Sequence, residues 1–326
     1  MISPLRYPTK LVFIDDDEFF LDSLASIMNF STHPTSQEYY TNPKEALDVI
    51  NRNASPSAVS RCLEYHTPDH IMSEKLEVSL SHLIEEAYNP DRFGNISVVF
   101  ADYDMDLMHG LDLLGAINDS NIIKVLISGR LTNEDAVNAF NKGQINGFFE
   151  KTPALFNQLE KFVYSSINNY FLRLTDKLRF FLKNSSAPLT TLEDSQFEVF
   201  FEQLLAREGI VEYYAIENPG SFLLINKDRQ IKMLWTRSQS QQDALAFLAQ
   251  QRGLDKGTVK SIERGELIVC RPYDFDLSSR NEKDFMECLK PATPLKGSEI
   301  YYVAEDEDLS SLSINPQNIK FFPECN

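Results

Sequence analysis

Five side chains in the first half of this 326-residue chain stand at the ends of short apolar runs, and each could act on an anion. Asp15 and Asp16 follow Lys10 to Ile14 (KLVFI), and Asp102 closes Ile96 to Ala101 (ISVVFA). Ser128 closes Ile122 to Ile127 (IIKVLI), and Lys151 follows Gly147 to Glu150. Alone, an acidic turn such as Asp15-Asp16-Asp17 is ordinary solvated charge. Brought together, the five would make a site. A carboxylate can serve as a nucleophile, and clustered carboxylates call for a hard cation to offset their repulsion. An amine and a hydroxyl can stabilise charge on the equatorial oxygens of a transferred phosphoryl group.

Whether they meet depends on the elements that carry them. The apolar runs are short and bounded by acids or turn residues, as buried strands are. Between them lie helical patterns: Leu21, Leu24 and Met28 after the first, then a Tyr-rich strand at Glu38 to Thr41. Asn42-Pro43-Lys44-Glu45 opens another helix, with Asn as cap and Pro at the first position. Strands alternating with helices predict an α/β fold, a doubly wound parallel sheet with helices on both faces. Parallel strands present all their C-terminal ends to one edge, where such sheets hold ligands. Asp15, Asp16, Asp102, Ser128 and Lys151 are therefore expected to converge.

Residues 10–153 resemble the receiver domain of two-component response regulators. The resemblance rests on I-D-D at 14–16, D-Y-D-M-D-L-M-H-G at 102–110, S-G at 128–129 and F-F-E-K-T-P at 148–153. It implies a flavodoxin-like fold that takes a phosphoryl group from a histidine kinase or phosphotransfer protein onto Asp102. It also implies Mg²⁺ held by Asp15, Asp16 and Asp102, with the backbone oxygen of Asp104 completing the set. Lys151 would supply a point charge and Ser128 a hydroxyl. A bound phosphate drawing Ser128 inward would free space for Phe148, making these two the switch pair. Three positions depart from the family pattern: Asp106 stands where Pro is usual, His109 where Asp or Asn is common, and Thr152 separates Lys151 from Pro153. None removes a reacting group.

The expected organisation is a receiver over 1–153, a long connecting helix over 154–184 and a C-terminal α+β domain over 190–326. The stretch from about 53 to 95 is longer than a compact receiver needs and reads as an insertion. In it Leu76, Leu80, Leu83, Ile84 and Ala87 repeat at helical spacing, predicting a helix packed on the receiver. Beyond Pro153, apolar residues from Leu159 to Phe181 recur every three or four positions without Pro or Gly, as in one unbroken helix. Thr190 with Glu193 reads as a capping box for a helix bearing Phe197, Phe200, Phe201, Leu204 and Leu205 and closed by Gly209. Val211 to Glu217, Ser221 to Asn226 and Ile231 to Thr236 then read as an antiparallel meander, with later strands near Leu267 to Cys270 and Glu299 to Val303.

The output of that C-terminal domain is less legible. Leu248 to Glu266 resembles the helix-turn-helix core of phage-repressor-type DNA-binding domains, with Lys256, Lys260 and Arg264 along one face of the second helix. Its flanks differ, since strands precede and follow it. No nucleotide-processing or other catalytic motif occurs in 190–326, and Asp274, Asp276 and Glu305 to Asp308 read as solvated loop charge. A sheet-plus-helix module after a receiver also resembles the quorum-sensing type of response regulator. The formal net charge is −17, and residues 181–326 hold 16 Lys+Arg against 23 Asp+Glu, a balance that repels phosphate backbones and anionic membranes. Output through protein or ligand contacts is therefore favoured over DNA reading or nucleotide chemistry. Four scattered cysteines without a C-x-x-C pair fit a reducing compartment, and no run is apolar enough to span a membrane, so a cytoplasmic protein is expected. The long helix makes a homodimer the expected assembly.

Overall fold

In the computed structural model, residues 1–27, 34–52, 58–66, 75–129, 133–185, 188–272, 282–310, 312 and 314–323 are described. They form two compact units. One comprises Tyr7–Ser57, Pro90–Thr175 and Phe321–Asn326, and the other Met1–Arg6, Ala58–Asn89 and Asp176–Lys320.

The first unit is built on five parallel strands in the order Ser36–Tyr40, Lys10–Ile14, Ile96–Asp102, Ile123–Ser128 and Gly147–Glu150. Numbered along the chain this is the 2-1-3-4-5 order of flavodoxin-like folds. Every residue of the central Ile96–Asp102 strand is buried, as expected where helices cover both faces of a sheet. Phe13 stacks on Phe100 at 4.6 Å across adjacent strands and extends the sheet's apolar layer to Tyr39 at 5.3 Å. Asn42 caps the Pro43–Arg52 helix as expected, its Oδ1 accepting the Lys44 and Glu45 N–H groups. The Leu155–Leu174 helix packs on the two central strands, Ile96–Asp102 and Ile123–Ser128.

That helix does not run on to residue 184. Thr175 ends it, and a second helix spans Asp176–Lys183. The Thr175 hydroxyl and N–H both donate to the Phe171 carbonyl, at 2.7 and 3.0 Å, and so occupy the acceptor of the last turn. A threonine bonding back four residues in this way bends or stops a helix. Apolar spacing alone gives no sign of it.

The second unit carries a six-stranded antiparallel sheet in the order Leu5–Arg6, Ile210–Glu217, Ser221–Asn226, Ile231–Ser238, Ile300–Asp306 and Thr293–Lys296. The predicted meander is its centre. Phe197 and Phe201 of the Ser195–Glu208 helix meet Phe222, at 6.4 and 4.6 Å, and form an aromatic core with Tyr213 and Tyr301. The cap of that helix is Asp194, whose Oδ1 accepts the Gln196 and Phe197 N–H groups, and not Thr190. Thr190–Glu193 is a short 3-10 turn ahead of it, so the S/T-x-x-E pattern sits one turn too early. Gly209 closes the helix at φ 61°, the left-handed conformation only glycine takes cheaply.

The insertion departs from its expected shape and place. Leu76 lies on a Lys75–Val78 strand paired with Leu63–His66, and the helix is shorter, Ser81–Glu85. That helix packs on the Ile210–Glu217 strand, so residues 58–89 group with the antiparallel sheet rather than with the parallel one. The hydrophobic face is real, but periodicity does not say which surface completes it. The Gln239–Gln251 and Lys256–Glu263 helices share a small core of Leu245, Ala249, Leu254, Val259 and Ile262, followed by a Leu267–Val269 strand as expected.

Candidate functional site

The C-terminal ends of two neighbouring strands bring the acids together. Asp15 follows the Lys10–Ile14 strand and Asp102 ends the Ile96–Asp102 strand, while Asp16 turns outward beside Asp15. One carboxylate oxygen from each of Asp15, Asp16 and Asp102 falls within 4.8 Å of the others. Asp15 and Asp102 are buried, at 2% and 6% exposure, and Asp16 is exposed. The third acid of the run does a different job: Asp17 Oδ1 accepts the Phe19 and Phe20 N–H groups and starts the Glu18–Ile27 helix.

Lys151 completes the cluster from the end of the Gly147–Glu150 strand. Its Nζ lies 2.7 Å from Asp15 Oδ2 and 2.9 Å from Asp102 Oδ1, bridging the two buried acids, and it sits 4.6 Å from the centre of the Phe20 ring. The Lys151 N–H donates to the Ser128 carbonyl at 3.0 Å, which ties the amine to the strand carrying the hydroxyl. Ser128 is buried, one residue beyond Ile127, the register partner of Asp102. Phe148 is half-buried in the edge strand, with Leu126 as its register partner.

Backbone donors fix the carboxylates. The Asp104 N–H donates to Asp102 Oδ2 at 3.0 Å, and the Asp17 N–H to Asp15 Oδ1 at 3.1 Å. The Asp106 N–H donates to Asp16 Oδ2 at 3.1 Å, a bond that a proline at 106 could not make. Gly110 lies against the backbone of Asp102, where a Cβ would fall well inside contact distance of the carbonyl oxygen. The glycine that ends the D-Y-D-M-D-L-M-H-G stretch is thus a packing requirement. Two participants gave no sign in the sequence, the Phe20 ring beneath Lys151 and the Asp106 N–H.

The electrostatics follow from two buried acids and one amine. Burial pushes the Asp15 carboxyl up to about 6, against the lowering effect of the Lys151 hydrogen bond, with the charge of Asp102 adding to the rise. Burial alone would lower Lys151, but its hydrogen bonds to Asp102 and Asp15 outweigh this and hold the amine above its ordinary value. Three carboxylates around a single ammonium leave excess negative charge. An all-oxygen set of this kind, half buried and open on the Asp16 side, fits Mg²⁺, which keeps some of its waters and takes few protein carboxylates.

A solved structure with the same architecture is the response regulator LqsR of Legionella pneumophila. It superposes with a TM-score of 0.81 at 25% sequence identity, covering 98% of this chain and 93% of that one. The fold is that of a response regulator with a distinct C-terminal domain. Single receivers align with about half of the chain: a CheY-like protein from Methanospirillum hungatei at 16% identity (TM-score 0.34, 50% of this chain, 96% of that one) and a receiver from Clostridium thermocellum at 17% (0.33, 52% and 98%). No family model and no curated protein matches the sequence. The five-stranded parallel sheet is the flavodoxin-like part of this fold, and the antiparallel sheet belongs to a separate second part.

That second part also corrects one expectation. Glu305 to Asp308 are not all solvated charge, because Asp306 is buried between Lys290 and Arg271, at 3.4 and 3.9 Å, and Asp308 pairs with Arg271 at 2.8 Å. Asp274 and Asp276 lie outside the described residues. Lys256, Lys260 and Arg264 are all exposed along the Lys256–Glu263 helix and its C-terminal cap. Among the described residues, no helix is long and apolar enough to cross a membrane.

Proposed function

We propose that this protein is the response regulator of a phosphorelay and is phosphorylated on Asp102. The observation that carries this reading is the Asp15, Asp16 and Asp102 cluster with the Lys151 amine bridging its two buried members. A carboxylate oxygen of Asp102 attacks the phosphorus of a phosphohistidine on a kinase or phosphotransfer partner. The P–O bond forms as the P–N bond breaks, and the leaving imidazole takes up a proton.

Asp15, Asp16, Asp102 and the backbone oxygen of Asp104 would hold Mg²⁺, which when bound neutralises carboxylate and phosphoryl charge. The chain's own groups position the rest. The Asp104 N–H holds one Asp102 oxygen and Lys151 the other, and the Ser128 hydroxyl and the Lys151 ammonium meet the new phosphoryl oxygens. Ser128 and Phe148 act as the switch pair. The antiparallel-sheet unit gives the output through protein or ligand contacts, in a cytoplasmic homodimer.

The test is labelling with a small phosphodonor in the presence of Mg²⁺. Wild type takes up one phosphoryl group and Asp102→Asn none. Equal labelling of both, or none in a folded wild type, ends the reading. A DNA-binding output has one supporting observation, the exposed Lys256, Lys260 and Arg264 along a helix and its C-terminal cap, a helix that shares an apolar core with the one before it.

A further inference from the structure

The parallel-sheet unit has a second concavity, at the opposite end of its strands from Asp102. It measures about 250 Å³ and lies among the Asn133–Asn141 helix, the turn leading into the Gly147–Glu150 strand, and the Leu155–Leu174 helix. Phe140 and Phe162 supply apolar wall, and Asn146, Ser166, Asn169 and Arg173 supply the polar lining. No aspartate or glutamate lines it, in a chain that has 48 of them.

The polar groups are arranged as donors. Asn146 Oδ1 accepts the Lys124 N–H at 2.9 Å and Arg173 Nη1 at 3.4 Å, which fixes the side-chain amide and leaves its NH₂ to face a ligand. Arg173 has no carboxylate partner among the described residues, and the Lys124 ammonium, 3.4 Å from the Ile117 carbonyl, has none either. Burial and then the nearby Arg173 guanidinium hold Lys124 below its ordinary value, with Asp119 opposing, and Arg173 itself is exposed, so the corner is positive and reachable from solvent. Ser166 is 2% exposed and adds a hydroxyl from the floor.

The walls set the rest of the ligand. Phe140 is 58% exposed at the rim, an apolar ring that a ligand body would cover. The Phe162 ring is held firmly, edge-on to Phe149 at 4.9 Å and so close to Gly147 that a Cβ there would strike it. A volume of about 250 Å³ falls just below the ~300–1,000 Å³ of drug-sized sites. It holds a single ring or a short chain.

We propose that this cavity binds a small organic oxyanion, a carboxylate or phosphate monoester on one ring or a short chain, with the anionic head on Arg173 and Asn146 and the apolar body against Phe140 and Phe162. A planar guanidinium takes either head through paired hydrogen bonds. The site is separate from the acid cluster and does not depend on the phosphoacceptor reading.

The experiment is amide-shift mapping on the ¹⁵N-labelled full chain with benzoate, phenyl phosphate and, as a neutral match, benzyl alcohol. Saturable shifts are expected around residues 143–147 and 166–173 with one or both anions, at least tenfold tighter than with benzyl alcohol. Arg173→Glu weakens them at least tenfold, and Arg173→Gln, which keeps a donor for Asn146, weakens them with an unchanged unfolding midpoint. Preference for one anion names the head group. Equal shifts from the alcohol, indifference to both Arg173 variants, shifts confined to the Asp102 end, or no saturable shift at all would overturn the proposal. So would concentration-dependent broadening of these amides without any probe, which assigns the face to a second copy of the chain.

Discussion

Acidification should weaken Mg²⁺ binding at the acid cluster more steeply than ordinary aspartates allow. Burial pushes Asp15 up to about 6, and a cation ligand must be deprotonated. The ionised fraction of Asp15 then falls from about nine tenths at pH 7 to about one tenth at pH 5, so the apparent Kd rises about tenfold. An aspartate at its ordinary 3.8 would stay more than about nine-tenths ionised at both, and Kd would hardly move. Stability without metal runs the other way. A carboxyl raised in the folded state binds more protons folded than unfolded, so this group stabilises the fold below about pH 4 and loses that contribution as pH rises through about 6. A shift of this size corresponds to about 3 kcal/mol, and Mg²⁺ at 100 times its Kd returns about 2.7 kcal/mol. Calorimetric titration with Mg²⁺ at pH 5 and 7, with denaturant unfolding of the metal-free protein across that range, measures both. A Kd equal at the two pH values, or an Asp15→Asn variant with the same pH slope as wild type, would refute the reasoning.

Four further outcomes follow from single contacts. Gly110→Ala forces a methyl into the Asp102 carbonyl and should cost about 1–3 kcal/mol in urea unfolding, with phosphoryl uptake reduced alongside. Asp106→Pro removes the N–H that holds Asp16 and should weaken Mg²⁺ about fivefold, roughly one hydrogen bond, with phosphorylation still saturable at higher Mg²⁺. Asp194→Ala unties two helix N–H groups and the Ser298 N–H, lowering stability by about 1–2 kcal/mol without touching Mg²⁺ affinity. Changing Lys256, Lys260 and Arg264 together to Ala should leave the fold intact, and a salt-sensitive DNA affinity lost in that triple variant would install the DNA-binding output in place of the favoured one.

The acid cluster was legible because its side chains sit at strand ends, and a strand end can be read from a short apolar run that stops at an acid. Asp15, Asp102, Ser128 and Lys151 needed only the parallel-sheet rule to be brought together. What escaped depends on single atoms or on distant partners. The hydroxyl of Thr175 broke a helix whose apolar spacing runs on without a gap. Asp194 took the cap expected of Thr190, since both are good cap residues and only the backbone turn at 190–193 decides between them. The insertion gave an apolar face but not its partner, because Leu83 is completed by a sheet formed more than a hundred residues later. Asp306 read as solvated because nothing nearby in sequence announces Arg271 and Lys290.

The path of the chain between the two units has a practical consequence. It passes from one to the other five times, after Arg6, Ser57, Asn89, Thr175 and Lys320, where a tandem arrangement would pass once. No single cleavage point can therefore release an intact half. A fragment ending at residue 153 would lose the Leu155–Leu174 helix that covers the parallel sheet, while one beginning at 190 would lose the edge strand Leu5–Arg6. Shuffling this regulator's output onto another receiver by one crossover is closed to it, and its two halves are bound to be inherited, synthesised and degraded as one object.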